Sequence, residues 1–135
     1  MSNDAIKTIL LVDDDEDFLL QQELVLTQAD FDVTTASSEA QADEILKTMR
    51  PDLVILDLML EHVDGGFSLC FKIKQKDPTI PIIILSSVAS ETGLEFDAAT
   101  TEERSWIKAD AFLSKPTRFE QLRREIDRLL EAVNK

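Results

Sequence analysis

The sequence predicts an α/β fold, a parallel sheet wound on both faces by helices, and three observations lead there. Short β-rich apolar runs recur five times, at Ile9 to Val12 (ILLV), Asp32 to Ala36 (DVTTA), Leu53 to Leu56 (LVIL), Ile82 to Leu85 (IIIL) and Ala111 to Leu113 (AFL). The four-residue runs are apolar at every position, which suits strands covered on both faces better than strands with one wet face. The segments between the runs carry helical periodicity, so repeated βα units follow, and right-handed crossovers leave few topologies.

Each element can be justified in order. The first strand runs into an acid cluster and then into EDFLLQQELVLTQA (16 to 29), read as a helix although its apolar positions are unevenly spaced. After DVTTA, Ser38-x-x-Gln41 can act as a capping box, Ala42, Ile45, Leu46 and Met49 fall at i, i+3, i+4 and i+7, and Pro51 stops the helix. After LVIL, Asp64-Gly65-Gly66 reads as a tight turn and Phe67 to Lys76 (FSLCFKIKQK) as a helix. After IIIL, the segment Glu91 to Lys108 (ETGLEFDAATTEERSWIK) reads as a loop followed by a polar helix that buries Trp106 and Ile107. The last helix is the clearest. Thr117-x-x-Glu120 caps it, and Phe119, Leu122, Ile126, Leu129, Leu130 and Val133 form one stripe opposite arginines and acids.

Composition sets limits on function. No internal repeat and no Pro/Gly/Ser-rich linker divides the chain, so residues 1–135 are expected to form one domain. The balance of 14 basic and 27 acidic residues gives −13, which argues against nucleic acid or an anionic membrane as a direct partner, since both are polyanions. The one cysteine, Cys70, has no internal disulfide partner and reads as a small buried hydrophobe. The amino terminus MSNDAIK lacks the apolar run of a signal peptide, and no stretch approaches a membrane span. A cytoplasmic protein is expected.

The chemistry is concentrated where strands end. In a doubly wound sheet, ligands bind outside the carboxyl ends of the strands. The first strand ends in Asp13-Asp14, the third in Asp57, the fourth in Ser86-Ser87 and the fifth in Ser114-Lys115-Pro116. Like charges about 4 Å apart repel by about 4 kcal/mol at an effective dielectric near 20, so the acids are either solvated or gathered round a cation. Hard carboxylate oxygens suit octahedral Mg²⁺. A carboxylate beside such a cation can attack a phosphoryl group and form an aspartyl phosphate. The transferred charge would then be held by the cation, by Lys115 and by the Ser86 hydroxyl.

At these residues the sequence resembles the receiver domains of two-component response regulators, in their stand-alone, chemotaxis-regulator-like form. The motifs that carry the likeness are LLVDDD (10 to 15), PDLVILDLML (51 to 60), PIIILSS (81 to 87) and AFLSKP (111 to 116). The resemblance implies a flavodoxin-like five-stranded parallel sheet of order 2-1-3-4-5 with five helices in a three-layer sandwich. It implies that Asp13 and Asp14 hold Mg²⁺, with Mn²⁺ as an alternative, that Asp57 is the phosphoacceptor and a metal ligand, and that the Met59 carbonyl is a further ligand. It also implies that Lys115 pairs with the phosphate, that Ser86 moves onto it, and that Phe112 turns inward as Ser86 moves. A cis Lys115-Pro116 bond is implied as well. Ser87 and Val88 are secondary candidates. The chain departs from the family pattern at Glu61 and His62, where proline and glycine are usual, and in a longer segment between Ser86 and Lys115.

The resemblance implies a sensor histidine kinase or histidine phosphotransfer protein as donor and an unknown downstream protein as target. Signalling would run through protein contact, the chain being a monomer or a phosphorylation-dependent dimer. The resemblance also implies that Met59 and Val88, two residues after the acceptor and the switch serine, influence hydrolysis; both are apolar and ill suited to orient water, so a long-lived phosphoryl group is expected. Other readings fit less well. A calcium loop starting at Asp13 would need glycine and glutamate where Phe18 and Leu24 stand. A hydrolase would want a second acid at Met59, and a dinucleotide site a glycine-rich first turn. Turnover catalysis is therefore not expected. Asp15 and Asp17 read as helix-dipole residues, and His62 as an exposed loop residue.

Overall fold

The computed structural model describes residues 6–57, 65–86, 109–115 and 118–133, the side chains of residues 65–67, 86, 132 and 133 excepted. In chain order the elements are β1 (Thr8–Val12), α1 (Glu16–Gln28), β2 (Asp32–Ala36), α2 (Glu39–Thr48), β3 (Leu53–Asp57), α3 (Gly65–Lys76), β4 (Ile82–Ser86), β5 (Ala111–Ser114) and α4 (Phe119–Val133). All strand pairs are parallel, and the sheet order is β2-β1-β3-β4-β5. The expected order is thus observed, with four helices among the described residues. The further helix expected within 91–108, with Trp106 and Ile107, lies outside them, as does His62.

Alternation along the strands divides the interior in two. Leu10, Val12, Val54, Leu56, Ile82 and Ile84 face one way and pack with Ala42 of α2 and with Leu69, Cys70 and Ile73 of α3. Ile9, Leu11, Leu53, Ile55, Ile83 and Leu85 face the other way, against Leu19 and Leu26 of α1 and Leu122, Ile126 and Leu129 of α4. Both faces of the central strands are covered, which is why those runs are apolar throughout. Each buried aliphatic side chain contributes about 1.5–3 kcal/mol. Edge strand β2 is more open, with only Ala36 buried, and so tolerates two threonines.

The helix ends explain the boundaries. Asp15 caps α1, its carboxylate accepting the Phe18 N–H at 3.2 Å. Ser38 caps α2, its hydroxyl accepting the Gln41 N–H at 3.0 Å, but Gln41 reaches back to the Ser37 N–H at 2.6 Å rather than to the cap residue. The expected capping box is therefore shifted by one residue on its return arm. Met49 falls just outside α2 in an extended conformation, where Pro51 favours leaving the helix. Gly65 and Gly66 correct one expectation: they form the first turn of α3, not a turn before it. Glycine costs less there than mid-helix, because first-turn N–H groups have no intrahelical acceptor to lose. The Thr117 cap expected for α4 lies outside the described residues.

Uneven spacing in α1 has a simple cause. Leu19 and Leu26 are buried, whereas Leu20 and Leu24 point outward, 67% and 60% exposed.

Candidate functional site at the carboxyl edge of the sheet

Strand register brings the site together. Val12 pairs with Leu56, so Asp13 and Asp57 leave the sheet on neighbouring strands. Leu85 is level with Asp57 on one side and with Leu113 on the other. Lys115 stands two residues beyond Leu113, and its long side chain reaches back across β4. Its Nζ donates to Asp13 Oδ2 at 2.7 Å and to Asp57 Oδ1 at 3.3 Å. Residues separated by 102 and 58 positions thereby share one ammonium.

Asp13 is the buried member, 1% exposed. Its Oδ1 accepts the Asp15 N–H at 2.9 Å, and its own N–H donates to the Ala36 carbonyl at 3.1 Å. Burial pushes its carboxyl above the ordinary carboxylate range, against the Lys115 and Asp15 hydrogen bonds and the Lys115 charge, and the charge of Asp57 adds to the rise. Burial works against the Lys115 ammonium too, but the hydrogen bond to Asp13 and the charges of Asp13 and Asp57 outweigh it, so its pKa lies above the usual lysine value. Both effects mark a desolvated pair whose partners depend on each other.

Asp14 is exposed, and one oxygen from each of Asp13, Asp14 and Asp57 lies within 4.8 Å of the others. Opposed ligands of an octahedral Mg²⁺ are about 4.2 Å apart, twice a metal–oxygen distance of about 2.1 Å. The three oxygens are close to that span without rearrangement of the strands. Charge agrees: among the described residues, three carboxylates gather round the one Lys115 ammonium, an excess of negative charge that a divalent ion offsets. The donor set, hard oxygen only, fits the same class of cation.

Phe18, a residue the sequence did not single out, belongs to this site. Lys115 Nζ sits 4.3 Å from its ring centroid. Nothing in the residue type betrays this, since an aromatic near the start of a helix is ordinarily core, and Phe18 also packs against the α1 and α4 face. Phe112, on β5 opposite Ile84, is half-buried against the α2 and α3 face. Ser86 ends β4 opposite Ser114, its side chain outside those described; Met59, Ser87, Val88 and Pro116 lie outside the described residues. Cys70 is fully buried, and burial pushes its thiol up to about 12. It plays no part in the site.

Comparison with known proteins agrees with this geometry. The chain is 34% identical over 110 residues to the alkaline phosphatase synthesis transcriptional regulatory protein PhoP of Bacillus subtilis, covering 82% of this chain and 42% of PhoP. It is 35% identical over 123 residues to the transcriptional regulatory protein GlrR of Escherichia coli, covering 91% of this chain and 26% of GlrR. The chain thus spans less than half the length of these curated relatives. Among solved structures it is similar to a CheY-like response regulator receiver domain protein from Methanospirillum hungatei, with TM-score 0.80, 22% identity and coverage of 96% of this chain and 98% of that one. It is also similar to the response regulator protein TrrA from Thermotoga maritima in complex with Mg²⁺ and BeF, with TM-score 0.75, 24% identity and coverage of 92% and 99%. A family model for the response regulator receiver domain matches residues 9–127. The chain therefore belongs to the response regulator receiver domain family.

Proposed function

We propose that Asp57 accepts a phosphoryl group, with Asp13, Asp14, Asp57 and the Met59 carbonyl as the ligands of Mg²⁺, or Mn²⁺ in its place. The observation that carries this reading is the single Lys115 ammonium held between Asp13 and Asp57. A bound divalent cation supplies neutralisation of the carboxylates and of the phosphoryl oxygens in transfer. The chain's own residues do the rest. An Asp57 carboxylate oxygen forms the new bond to phosphorus, and the bond from phosphorus to the donor's leaving group breaks, its electron pair leaving with the donor. Lys115, already 3.3 Å from Asp57 Oδ1, pairs with the negative charge that arrives. Ser86 closes on the phosphoryl group, with Ser87 the second candidate, and Phe112 turns further into the interior as it does so.

Donor and target follow from the same reading. A sensor histidine kinase or histidine phosphotransfer protein supplies the phosphoryl group, and the changed surface around β5 and α4 is read by a downstream protein, with the chain monomeric or dimerising on phosphorylation. Residues 1–135 act as one receiver unit. Met59 and Val88, two residues after Asp57 and Ser86 in sequence, are apolar and ill suited to orient water, which favours a long-lived phosphoryl group.

Intact-mass measurement after treatment with acetyl phosphate and Mg²⁺ tests the proposal. One phosphoryl increment on the natural chain, lost in Asp57→Asn and lost on chelation of the metal, is expected. An increment that survives in Asp57→Asn would refute the assignment.

A further inference from the structure

Four contacts close a circuit around the pocket. Asp13 Oδ1 accepts the Asp15 N–H at 2.9 Å, Asp15 Oδ1 accepts the Phe18 N–H at 3.2 Å, the Phe18 ring lies 4.3 Å from Lys115 Nζ, and that Nζ returns to Asp13 Oδ2 at 2.7 Å. The first turn of α1 is thereby tied to the end of β5 through a ring face and a carboxylate. Phe18 is half-buried and anchored by its packing against the α1 and α4 core, so the ring cannot follow the ammonium if the latter wanders.

The circuit matters when the carboxylates change partners. The hold of Asp13 and Asp57 on the ammonium weakens as those oxygens turn to a cation or an incoming phosphoryl group. The π face of a phenyl ring attracts a cation without competing for either. We propose that Phe18 is a positioning residue for Lys115, its ring keeping the ammonium at the mouth of the pocket while the carboxylates are engaged elsewhere. This rests on the reading of Asp57 as the phosphoryl acceptor. The ring touches neither phosphoryl group nor metal and acts only through Lys115.

Leucine keeps most of the apolar volume of Phe18 and removes the ring, whereas tyrosine keeps the ring. With acetyl phosphate and Mg²⁺, Phe18→Leu is expected to phosphorylate about three- to tenfold more slowly, in the range a half-buried cation–π contact spans. Phe18→Tyr restores the rate. A Phe18→Leu rate equal to that of the natural chain, or a Phe18→Tyr rate as slow as Phe18→Leu, overturns the proposal; a core-packing role alone gives one or the other. Failure of the natural chain to be phosphorylated at Asp57 would instead strike the underlying reading. A second measurement needs no phosphoryl donor. In a stability cycle, Phe18→Leu and Lys115→Met are expected to be coupled by about two- to thirtyfold in the unfolding equilibrium constant, and strict additivity would also overturn the proposal.

Discussion

Lys115 crosses one strand to reach Asp57 and two to reach Asp13, and its ammonium is what lets a carboxylate 1% exposed sit beside two other acids. Removing one partner of a buried pair costs more than the pair itself contributes, because the remaining charge is stranded. Lys115→Met is therefore expected to lose about 2 kcal/mol of stability in metal-free buffer, below the roughly 3–5 kcal/mol of a fully buried broken pair because Lys115 retains some solvent contact. Millimolar Mg²⁺ should return part of the loss by binding only the folded state. Chemical denaturation with and without Mg²⁺ measures both; a variant as stable as the natural chain without metal would mean the pair carries no such weight. Legibility at this scale was uneven. Asp13, Asp57 and Lys115 could be found because each follows a run of apolar strand residues, so the fold itself says they share an edge. Phe18 could not, since its role depends on which side of an irregular helix faces a lysine almost a hundred positions away.

Elements end by devices that sequence shows only in part. α1 stops in a full Schellman motif: Phe31 N–H bonds Leu26 O at 3.1 Å, Asp30 N–H bonds Thr27 O at 3.0 Å, and Leu26 and Phe31 are both buried on one face. The left-handed position, φ 73°, is held by Asp30 and not by glycine, so no glycine flags the stop. Asp30→Gly is expected to stabilise by about 0.5–1 kcal/mol and Asp30→Val to destabilise by about 1 kcal/mol, as thermal melts would register; a destabilised glycine variant would contradict the assignment. The amino edge of the sheet uses a repeated carboxylate device. Asp52, just before β3, accepts the Thr8 N–H and donates its own to Thr8 O, both at 2.8 Å; Asp110, just before β5, does the same to Ile82 at 2.8 and 2.9 Å. Neither was legible, because an aspartate before a strand also reads as an ordinary turn residue.

The connection between α3 and β4 supplies a pH test at the same scale. Asp77 accepts from the Thr79 hydroxyl, from Arg50 Nε at 2.7 Å and from the Thr79 N–H at 3.0 Å, and these bonds hold its carboxyl well down, from 3.8 to about 2. A carboxyl depressed on folding adds stability above its unfolded pKa and loses it as pH falls through the folded one. The stability that Asp77 adds should therefore be intact at neutral pH and drain away between about pH 4 and pH 2. Asp77→Asn should be less stable at neutral pH but lose less on acidification through that window. Parallel acid titrations of the two chains would contradict this.

Across the whole molecule, five aspartates of a −13 chain serve the two edges of one sheet in different ways. At the amino edge, Asp52 and Asp110 are taken up by backbone N–H groups and hold strands in register. At the carboxyl edge, Asp13, Asp14 and Asp57 converge on one another with the Lys115 ammonium bonded to Asp13 and Asp57, and that concentration of negative charge is what a divalent ion can use. Parallel order and right-handed crossovers made the gathering of these residues predictable. The exact reach of each side chain was not, because it depends on strand stagger of a single residue. The most direct measurement is to treat the chain with acetyl phosphate and Mg²⁺, reduce the acyl phosphate with borohydride and map the converted residue by peptide mass. Conversion of Asp57 to homoserine, at that position alone, is expected; conversion at Asp13 or Asp14, or none at all in the presence of Mg²⁺, would contradict the proposed site.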